Sequence, residues 1–400
     1  MSCTRLLFAA PHCLLDRTSG AAITLQALLA ALVRRGVSVR SLEAACFDSP
    51  AGAEGLELPA PPAAGLAQMV RRQRDGVAHD LLVSAHQERT SLTTLEEMLY
   101  ETAFLELLAR FRPHVVLGFG AYGLERSLRR EARLQGAGTI FYLANPSYNH
   151  LRYFRDVDRV VTDTAATATL YRRSLGLIAQ PIGLFIDPQR VVAAQREPEW
   201  ITFVNPIQEK GACLMVGLAQ LCLAQLPEAR FLVVESRGRW APLLAQLGVA
   251  PESLPNVEVW PHQSDMRAVY SRSRVVLMPS CWHESAGMVA LEALMNGLPV
   301  LASDHGGLAE TLRGAATLIP IPVEVRSQLA IPAPAVLAPW LEALSPLLRD
   351  ETAYRQASQR ALAAGQAYSS ETGVTTFMAV IEELRASLVP SQRQLPESHS

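Results

Sequence analysis

The sequence predicts an α/β protein with two domains of similar size, each built on a mostly parallel sheet covered by helices. A chain of 400 residues is too long for one ordinary hydrophobic core, so two domains are expected. Short apolar runs, typical of buried parallel strands, alternate with longer segments of helical periodicity in both halves of the chain. This pattern favours doubly wound domains, in which function lies at the carboxyl ends of the strands.

The composition excludes several classes of protein. Apolar residues make up 49% of the chain and charged residues 18%, which is typical of a well-buried globular protein. The formal net charge of −2 gives no basic field for nucleic acid. Six cysteines without a CxxC pair predict reduced thiols in a cytoplasmic protein. No apolar stretch approaches the ~18 residues of a membrane-spanning helix, and we therefore expect a soluble protein.

The first half opens with a strand, a loop, a helix and a second strand. Residues 5–10 predict a buried strand, Gly20 begins a long helix that ends at Gly36, and residues 37–42 predict the next strand. The loop lacks the three-glycine dinucleotide fingerprint, so a nicotinamide cofactor is not expected. Further predicted elements of this half are helices over 92–111 and 124–135, strands over 115–119, 139–143 and 160–162, and a helix through Tyr171.

The helix predicted over 124–135 carries an unusual number of arginines, namely Arg126, Arg129, Arg130 and Arg133. They could contact an anionic membrane surface or an acidic acceptor. Since Glu125 and Glu131 are interspersed among them, we favour a solvated helix face.

The second half repeats the alternation of strands and helices. Predicted strands cover 201–204, 231–235 and 257–260, and predicted helices cover 212–225 and 266–273. The last third of the chain is helical, over 336–348, 351–367 and 371–388.

The most informative stretch is VVLMPSCWHESAGMVALEALMNGLPVLASDHGGLAE, over residues 275–310. It predicts a buried strand, a loop that contains Glu284, a helix that begins near Gly287, and a further strand after Gly297. Glu292 follows Glu284 by eight positions, in the second turn of the helix. The amino end of such a helix offers unpaired N–H groups and a partial positive charge, which suit a diphosphate.

Small residues surround that helix start, and two carboxylates flank it. The side chains of Ser285, Ala286 and Gly287 would let the backbone approach phosphates closely. Glu284 and Glu292 could then accept hydrogen bonds from the hydroxyls of one sugar ring each, as a nucleotide-sugar would require.

This E-x7-E pattern, with PS before it and EA, GLPV and GGLAE after it, resembles the donor-site signature of the retaining glycosyltransferases of family 4. The resemblance implies the GT-B architecture, with two Rossmann-like domains facing a central cleft and a carboxyl-terminal helix that crosses back to the first domain. We accordingly expect a first, acceptor-side domain over 1–187, a donor domain over 188–370, a crossover helix over 371–389 and a disordered tail over 390–400.

The same resemblance implies roles for residues in both domains. Glu284 would hold hydroxyls of the transferred sugar, and Glu292 would hold the ribose. The remaining donor-binding residues that we expect around the helix start and in the glycine-bearing loop of the first domain are Ser285, Ala286, Gly287, Met288, Gly20 and Ala21.

Lys210 matches the lysine of the family's strand–loop–Lys-Gly motif, and we expect it to stabilise the departing diphosphate. The arginine that the family usually has a few residues earlier is missing, and Asn205 and Pro206 occupy this part of the donor site. We hypothesise that Arg237, after the neighbouring strand, substitutes for it, because a guanidinium fork suits phosphate oxygens. Arg237 could equally be a solvated loop residue.

Other candidates lie near the expected reacting centre. Where the family tends to have a histidine after the strand over 115–119, this chain has Gly-Phe-Gly. His150 in the next loop could shuttle a proton, and His12 is a comparable candidate. The same loop also offers Asn145, Tyr148 and Asn149 for contact with the sugar or acceptor. Trp260 either stacks on the nucleotide base or belongs to the core.

The expected substrates are a nucleotide-sugar, most often a UDP- or GDP-sugar, and an unidentified acceptor. The acceptor could be a glycan, a lipid-linked sugar, a small metabolite or a protein, and the first domain could touch the inner face of the membrane. No DxD sequence or His/Cys cluster appears, so we expect no cofactor and no metal. Two alternatives remain open: a GT-B protein that binds a nucleotide-sugar without transferring it, and a GT-B epimerase.

Overall fold

Two sheets organise the protein, whose computed structural model describes residues 3–63 and 66–388. The predicted tail over 390–400 lies outside the described residues. The strands are β1 (Arg5–Ala10), β2 (Ser38–Ala44), β3 (Gln68–Arg74), β4 (Val77–Val83), β5 (Val115–Gly118), β6 (Gly138–Leu143), β7 (Arg159–Thr162), β8 (Gln180–Pro181), β9 (Trp200–Val204), β10 (Phe231–Val234), β11 (Val257–Trp260), β12 (Ser273–Met278), β13 (Val300–Ser303) and β14 (Thr317–Ile319). The α-helices are α1 (Gly20–Arg34), α2 (Thr94–Phe111), α3 (Gly123–Leu134), α4 (Ala165–Leu175), α5 (Pro188–Val191), α6 (Ala212–Gln225), α7 (Trp240–Gln246), α8 (Met266–Arg272), α9 (Met288–Met295), α10 (Leu308–Leu312), α11 (Val323–Arg326), α12 (Pro334–Arg349), α13 (Glu351–Ala367) and α14 (Ser370–Leu388).

The first sheet has eight strands in the order β3-β4-β2-β1-β5-β6-β7-β8. The β3–β4 pair is antiparallel, and every other pair in the sheet is parallel. The strands are apolar on both faces because helices cover both: α1 and α14 pack on one, and α2 and α3 on the other.

The second sheet has six parallel strands in the order β11-β10-β9-β12-β13-β14. The main cluster of its core joins α6 and α12 to one face of the strands, and a second cluster joins α9 and α13 to the other. The predicted α/β architecture with two parallel-sheet domains is therefore confirmed.

The last helix, α14, returns to the first domain. Val374, Phe377 and Ile381 are buried in one cluster with Leu6 and Phe8 of β1. The predicted crossing of the carboxyl-terminal helix is thus observed. The first sheet ends at Pro181 and the second begins at Trp200, and the predicted domain boundary near Pro188 lies between these strands.

The antiparallel β3–β4 pair was not predicted from the sequence. The apolar pattern of β4 is interrupted by His79 and Asp80, which the fold nevertheless buries. His79 Nδ1 lies 2.6 Å from Glu43 Oε1, and Asp80 is paired with Arg40 and Arg71. Partners from other strands therefore compensate polar groups that look solvent-exposed in the sequence.

The prediction of a solvated face for the arginine-bearing helix is wrong in part. Arg129 is buried and donates hydrogen bonds to the carbonyl oxygens of Gly120 and Tyr153, at 3.1 and 3.0 Å. Glu125 is buried as well, because Arg89 binds both of its carboxylate oxygens at 2.7 and 3.0 Å. Helix α3 therefore presents charged side chains to the protein as well as to solvent.

Among the helices of the described ranges, none combines the length and the apolar character needed to cross a bilayer.

Candidate active site

The carboxyl edges of the two sheets face each other across an interdomain cleft. Thr164, directly after β7, donates a hydrogen bond from Oγ1 to the carbonyl oxygen of Ser285 at 2.5 Å. The backbone N–H groups of Ala165 and Ala166 bind the carboxylate of Glu310 at 3.1 and 3.0 Å. Since Ser285 and Glu310 lie in the second domain, the loop between β12 and α9 is positioned directly opposite the first sheet.

Lys210 and Glu284 form the central charge pair of this edge. Lys210 Nζ lies 2.6 Å from Glu284 Oε1, and the hydroxyl of Ser280 donates to the same oxygen. Glu284 is only 6% exposed, whereas the side chain of Lys210 is 26% exposed. Burial acts to raise the pKa of Glu284, but Lys210 and the two hydrogen bonds outweigh it, so its pKa lies below the usual range.

The sequence around Lys210 brings two loops unusually close together. Gly211 has a φ of +83°, and a Cβ built there would lie 1.9 Å from the carbonyl oxygen of Pro279. The backbone N–H groups of Cys281 and Trp282 bind the carbonyl oxygen of Glu209 at 2.9 and 3.0 Å. The Lys-Gly pair is therefore required for the contact that holds Lys210 beside the loop of Glu284.

Glu292 is the second buried carboxylate. It is 5% exposed and accepts a hydrogen bond from the hydroxyl of Tyr270 at 2.5 Å. Burial raises the pKa of Glu292 to about 7, because this one hydrogen bond only partly offsets the loss of hydration. The residue lines an interdomain cavity of about 690 Å³, bounded by α1 and α5 and by residues 263–267. This volume lies within the range of small-molecule sites.

The small residues predicted at the helix start lie where the two domains meet. Gly287 is the amino-terminal cap of α9 and has a φ of +79°. Ser285 and Ala286 are buried, and Ser285 Oγ lies 3.2 Å from Thr167 Oγ1. The backbone of residues 285–287 therefore lies in the interdomain cleft.

Gly20 and Ala21 begin α1, on the opposite side of the cleft. A Cβ built on Gly20 would lie 3.7 Å from Cε of Met288. The glycine-bearing loop of the first domain and the start of α9 are therefore direct neighbours, and the donor-binding role of Gly20, Ala21 and Met288 stays a prediction.

Asn205 adopts a left-handed conformation with a φ of +66°, and its Oδ1 accepts a hydrogen bond from the N–H of Gly238 at 2.9 Å. Asn205 therefore holds the loop that carries Arg237. The guanidinium of Arg237 is exposed, and its charge contributes to the lowered pKa of Glu284. The role of Arg237 as a substitute for the missing arginine stays a prediction.

The remaining predicted residues lie in different surroundings. Trp260 is partly buried against the cluster of Trp200 and Val234, and its Nε1 donates to Glu258 at 2.6 Å. His150 is exposed and has its ring 5.7 Å from that of Tyr153.

A second cavity, which we call the first-domain cavity, lies at the carboxyl ends of β1, β5 and β6 and has a volume of about 760 Å³. His12 lines it, but His150 does not. Arg126, one of the arginines for which an acidic acceptor was considered, lines it too, and the lining residues that sequence reasoning did not connect with a site include Arg89, Phe119, Tyr122, Arg152 and Tyr153. They come from four separate loops and helices, so no local motif joins them; the only sequence signal was the cluster of arginines in α3.

One group within the described ranges has metal-type donor atoms within 4.8 Å of one another, namely His12, Asp16 and Asp48. The Asp16 carboxylate already accepts hydrogen bonds from the N–H groups of Thr18 and Asp48, both at 2.7 Å. These contacts join Asp16 to its own loop and to the loop after β2.

The chain matches known proteins at two levels. Residues 198–331 match the family model of the glycosyl transferases group 1. Over 129 residues the chain is 36% identical to the D-inositol 3-phosphate glycosyltransferase of Nocardia farcinica (strain IFM 10152). That match covers 32% of this chain and 25% of the length of the relative.

Solved structures resemble the whole chain. A glycosyltransferase from Rickettsia africae ESF-5 has a TM-score of 0.66 at 12% identity, covering 96% of this chain and 99% of its own. Anabaena Alr3699/HepE, solved in complex with UDP-glucose, has a TM-score of 0.67 at 14% identity, covering 95% and 99%. The fold is therefore GT-B, as the sequence predicted, and the match to the glycosyl transferases group 1 model lies in the second domain.

Proposed function

We propose that the protein is a glycosyltransferase that moves a sugar, with retention and without a metal, from a nucleotide-diphosphate sugar to an acceptor held by the first domain. The observation that carries the proposal is the pair of Lys210 and Glu284. These residues lie 74 positions apart in the chain, follow different strands, and meet at 2.6 Å in the interdomain cleft.

The pair suits the chemistry of a sugar-nucleotide donor. An ammonium group beside the start of α9 can stabilise the negative charge that develops on a departing diphosphate. Glu284 is held ionised by Lys210 and Ser280, so its free lone pairs can accept hydrogen bonds from sugar hydroxyls. Neither group needs to form a covalent bond with the sugar for this role.

The position of Glu292 supports the proposal that the cleft binds the nucleoside part of the donor. Its carboxylate lies on the interdomain cavity and has one protein partner, Tyr270, among the residues described. A ribose could donate two hydroxyl hydrogen bonds to it. Among the structural relatives, Anabaena Alr3699/HepE was solved with UDP and with UDP-glucose, and we propose a UDP-sugar as the first donor to test.

Release of UDP from UDP-glucose, in the presence of EDTA, tests this proposal. We expect slow hydrolysis of the donor by the wild-type protein, because water replaces the missing acceptor, and EDTA should not change the rate. NMR analysis of the sugar product should show the anomeric configuration of the donor. No nucleotide release from any of a panel of UDP-, GDP-, ADP- and TDP-sugars would contradict the proposed activity.

A second candidate is a protein that binds a nucleotide-sugar without transferring it. The observation that favours it is Asn205, which stands in the region of the family's arginine and uses its side chain to hold Gly238. Binding of a nucleotide-sugar without hydrolysis or transfer would support this candidate over the first.

A further inference from the structure

The first-domain cavity has an unusual balance of charge. Its lining includes three arginines, Arg89, Arg126 and Arg152, and one glutamate, Glu125. Arg89 is neutralised, because it pairs with Glu125 and also lies 2.8 Å from Glu97. Among the described residues, Arg126 and Arg152 have no carboxylate within 4.0 Å. The cavity therefore carries two arginine charges that the protein itself does not compensate.

Arg126 is placed where an unpaired cation is unfavourable. It is the fourth residue of α3, close to the positive amino end of the helix dipole. Its Nε is buried and has no hydrogen-bond partner among the residues described. A buried donor without a partner costs stability. An anionic ligand in the cavity would compensate the charge of this guanidinium group.

Arg152 reaches the same cavity from a different loop. It lies in the short 3-10 turn Leu151–Phe154, with its guanidinium 5.1 Å from the ring centre of Tyr153. Its Nη2 donates to the hydroxyl of Tyr153 at 3.3 Å. These contacts hold the guanidinium at the cavity while leaving its other N–H groups available.

The cavity lies within reach of the proposed donor site. Thr164, at the end of β7, contacts Ser285, and β6 and β5 are the next two strands in the sheet. At about 4.8 Å between neighbouring strands, the ends of β6 and β5 lie roughly 5 and 10 Å from this contact. An acceptor in the cavity could therefore extend a hydroxyl toward the donor sugar. Phe119, Tyr122 and Tyr148 offer apolar ring surfaces beside it.

We propose that the acceptor carries a phosphate group, which binds to Arg126 and Arg152 in the first-domain cavity. This inference rests on the proposed function, since it names the acceptor class of the same site. A phosphate monoester carries about −1.5 to −2 charges at neutral pH, which matches two uncompensated guanidinium groups. It also has enough oxygens for a forked contact with each arginine, whereas one carboxylate has only two.

Binding measurements on the intact protein test the proposal. The probes are inorganic phosphate, glucose 6-phosphate and glucose, added to the wild-type protein in the presence of saturating UDP. The test variants are Arg126→Gln, Arg152→Gln and the double substitution. Arg130→Gln is the matched control, because Arg130 lies on the same helix, is exposed and does not line the cavity.

We expect glucose 6-phosphate and phosphate to bind the wild-type protein, and glucose to bind at least ~10-fold more weakly than glucose 6-phosphate. Each single substitution should weaken the binding of glucose 6-phosphate by about 10-fold, because one charge-assisted hydrogen bond changes a binding constant by about tenfold or more. The control should bind like wild type. All variants should retain UDP binding, which separates failure of this proposal from failure of the proposed donor site.

A second experiment, on vesicle binding, distinguishes a lipid headgroup from a soluble sugar phosphate as the source of the phosphate. Co-sedimentation with phosphatidylcholine vesicles that contain phosphatidic acid, whose headgroup is a phosphate monoester, would assign the phosphate to a lipid headgroup if it is lost in the double variant but not in Arg130→Gln. Binding of glucose 6-phosphate without vesicle binding would assign it to a soluble sugar phosphate. The proposal is overturned if glucose binds as tightly as glucose 6-phosphate, or if the double variant binds both phosphate probes and vesicles like wild type.

Discussion

Glu284 and Glu292 are buried glutamates eight positions apart, and their surroundings have opposite effects on them. Glu284 has Lys210 at 2.6 Å and the hydroxyl of Ser280, and its pKa lies below the usual range despite burial. Glu292 has only the hydroxyl of Tyr270, and burial raises its pKa to about 7. The same residue type is therefore a fixed anion at one end of the motif and a titrating group at the other.

This difference follows from the source of each partner. Lys210 comes from the loop after β9 and its side chain is 26% exposed, whereas Tyr270 comes from α8 and is fully buried in the core of β12 and α9. The loop around Glu284 can exchange its ion pair for ligand contacts. Glu292 gains its compensating hydrogen bonds only when a ligand supplies donors, so its ionisation and ligand binding should be coupled.

The largest effect should come from removing the cation. We expect Lys210→Ala to lower turnover of UDP-glucose by about 10² to 10³-fold, since loss of one group that stabilises developing charge has this order of effect. It also leaves Glu284 buried without its cation, so the pKa of Glu284 should rise. Steady-state kinetics of UDP release measure the loss. Lys210→Arg, which keeps the charge, should retain more activity than Lys210→Ala; equal loss in both would show that charge is not the decisive property.

The pH dependence of donor affinity tests Glu292. UDP-glucose has no group that titrates near neutrality, so a change in its affinity reports on the protein. Because hydroxyl donors bind the ionised carboxylate, we expect affinity to increase as pH rises from 6 to 8 through the pKa of about 7. The increase should be about tenfold at most, because the ionised fraction of Glu292 rises by about tenfold between pH 6 and pH 8. Titration calorimetry measures it.

The matched variant for this test is Glu292→Gln, which preserves shape but cannot ionise. Its affinity for UDP-glucose should be lower than that of wild type at pH 8 and should not vary with pH. A variant with the same pH profile as wild type would assign the titration to another group.

A smaller effect is expected for Arg237→Gln. If Arg237 contacts the diphosphate, its loss should weaken UDP binding by about tenfold or less. The side chain is exposed, so solvent and salt screen its electrostatic attraction to the diphosphate. Arg239→Gln is the control, because Arg239 is a neighbouring exposed arginine that already pairs with Glu235 at 2.8 Å. Equal UDP affinity in the two variants and the wild type would show that Arg237 is a solvated loop residue that does not bind the diphosphate.

The smallest effect should follow Tyr270→Phe. Loss of the buried hydrogen bond to Glu292 should lower the free energy of unfolding by about 1 to 2 kcal/mol and raise the pKa of Glu292 further. Glu292 has a folded pKa above its unfolded value, so its contribution to stability is complete below about pH 4.5 and is lost as pH rises through about 7. Urea unfolding across this pH range checks both points, and an unchanged pH profile would contradict the assignment of Glu292 as the titrating group.

The second-domain site was largely predictable from sequence, whereas the first-domain site was not. Lys210, Glu284 and Glu292 belong to local strings in which glycines, small residues and strand patterns all agree. The requirement for Gly211 beside Pro279 shows why such a string is restrictive. Arg126 and Arg152, by contrast, lie in separate segments, and only the folded sheet brings them to one cavity.

The unpredicted features share a physical cause, which is charge compensation between distant segments. Glu43 Oε1 lies 2.6 Å from Nδ1 of His79 in β4, and Arg89 pairs with Glu125 of α3. A polar residue whose partner is 36 positions away carries no local sign that it will be buried. Element type in the regular α/β alternation was therefore predictable, but the polar edge strands and the buried charges were not.

The most direct test of the central claim is thermal unfolding with UDP, GDP, ADP and TDP, on wild type and on Glu292→Gln near pH 8. A nucleotide present at about 100 times its dissociation constant stabilises the protein by about 2.7 kcal/mol, which is readily measured. We predict that one nucleotide raises the unfolding temperature of the wild type and has a smaller effect on the variant. If none of the four shifts the wild type, or if the variant responds equally, the cleft beside Lys210, Glu284 and Glu292 is not a nucleotide-sugar site.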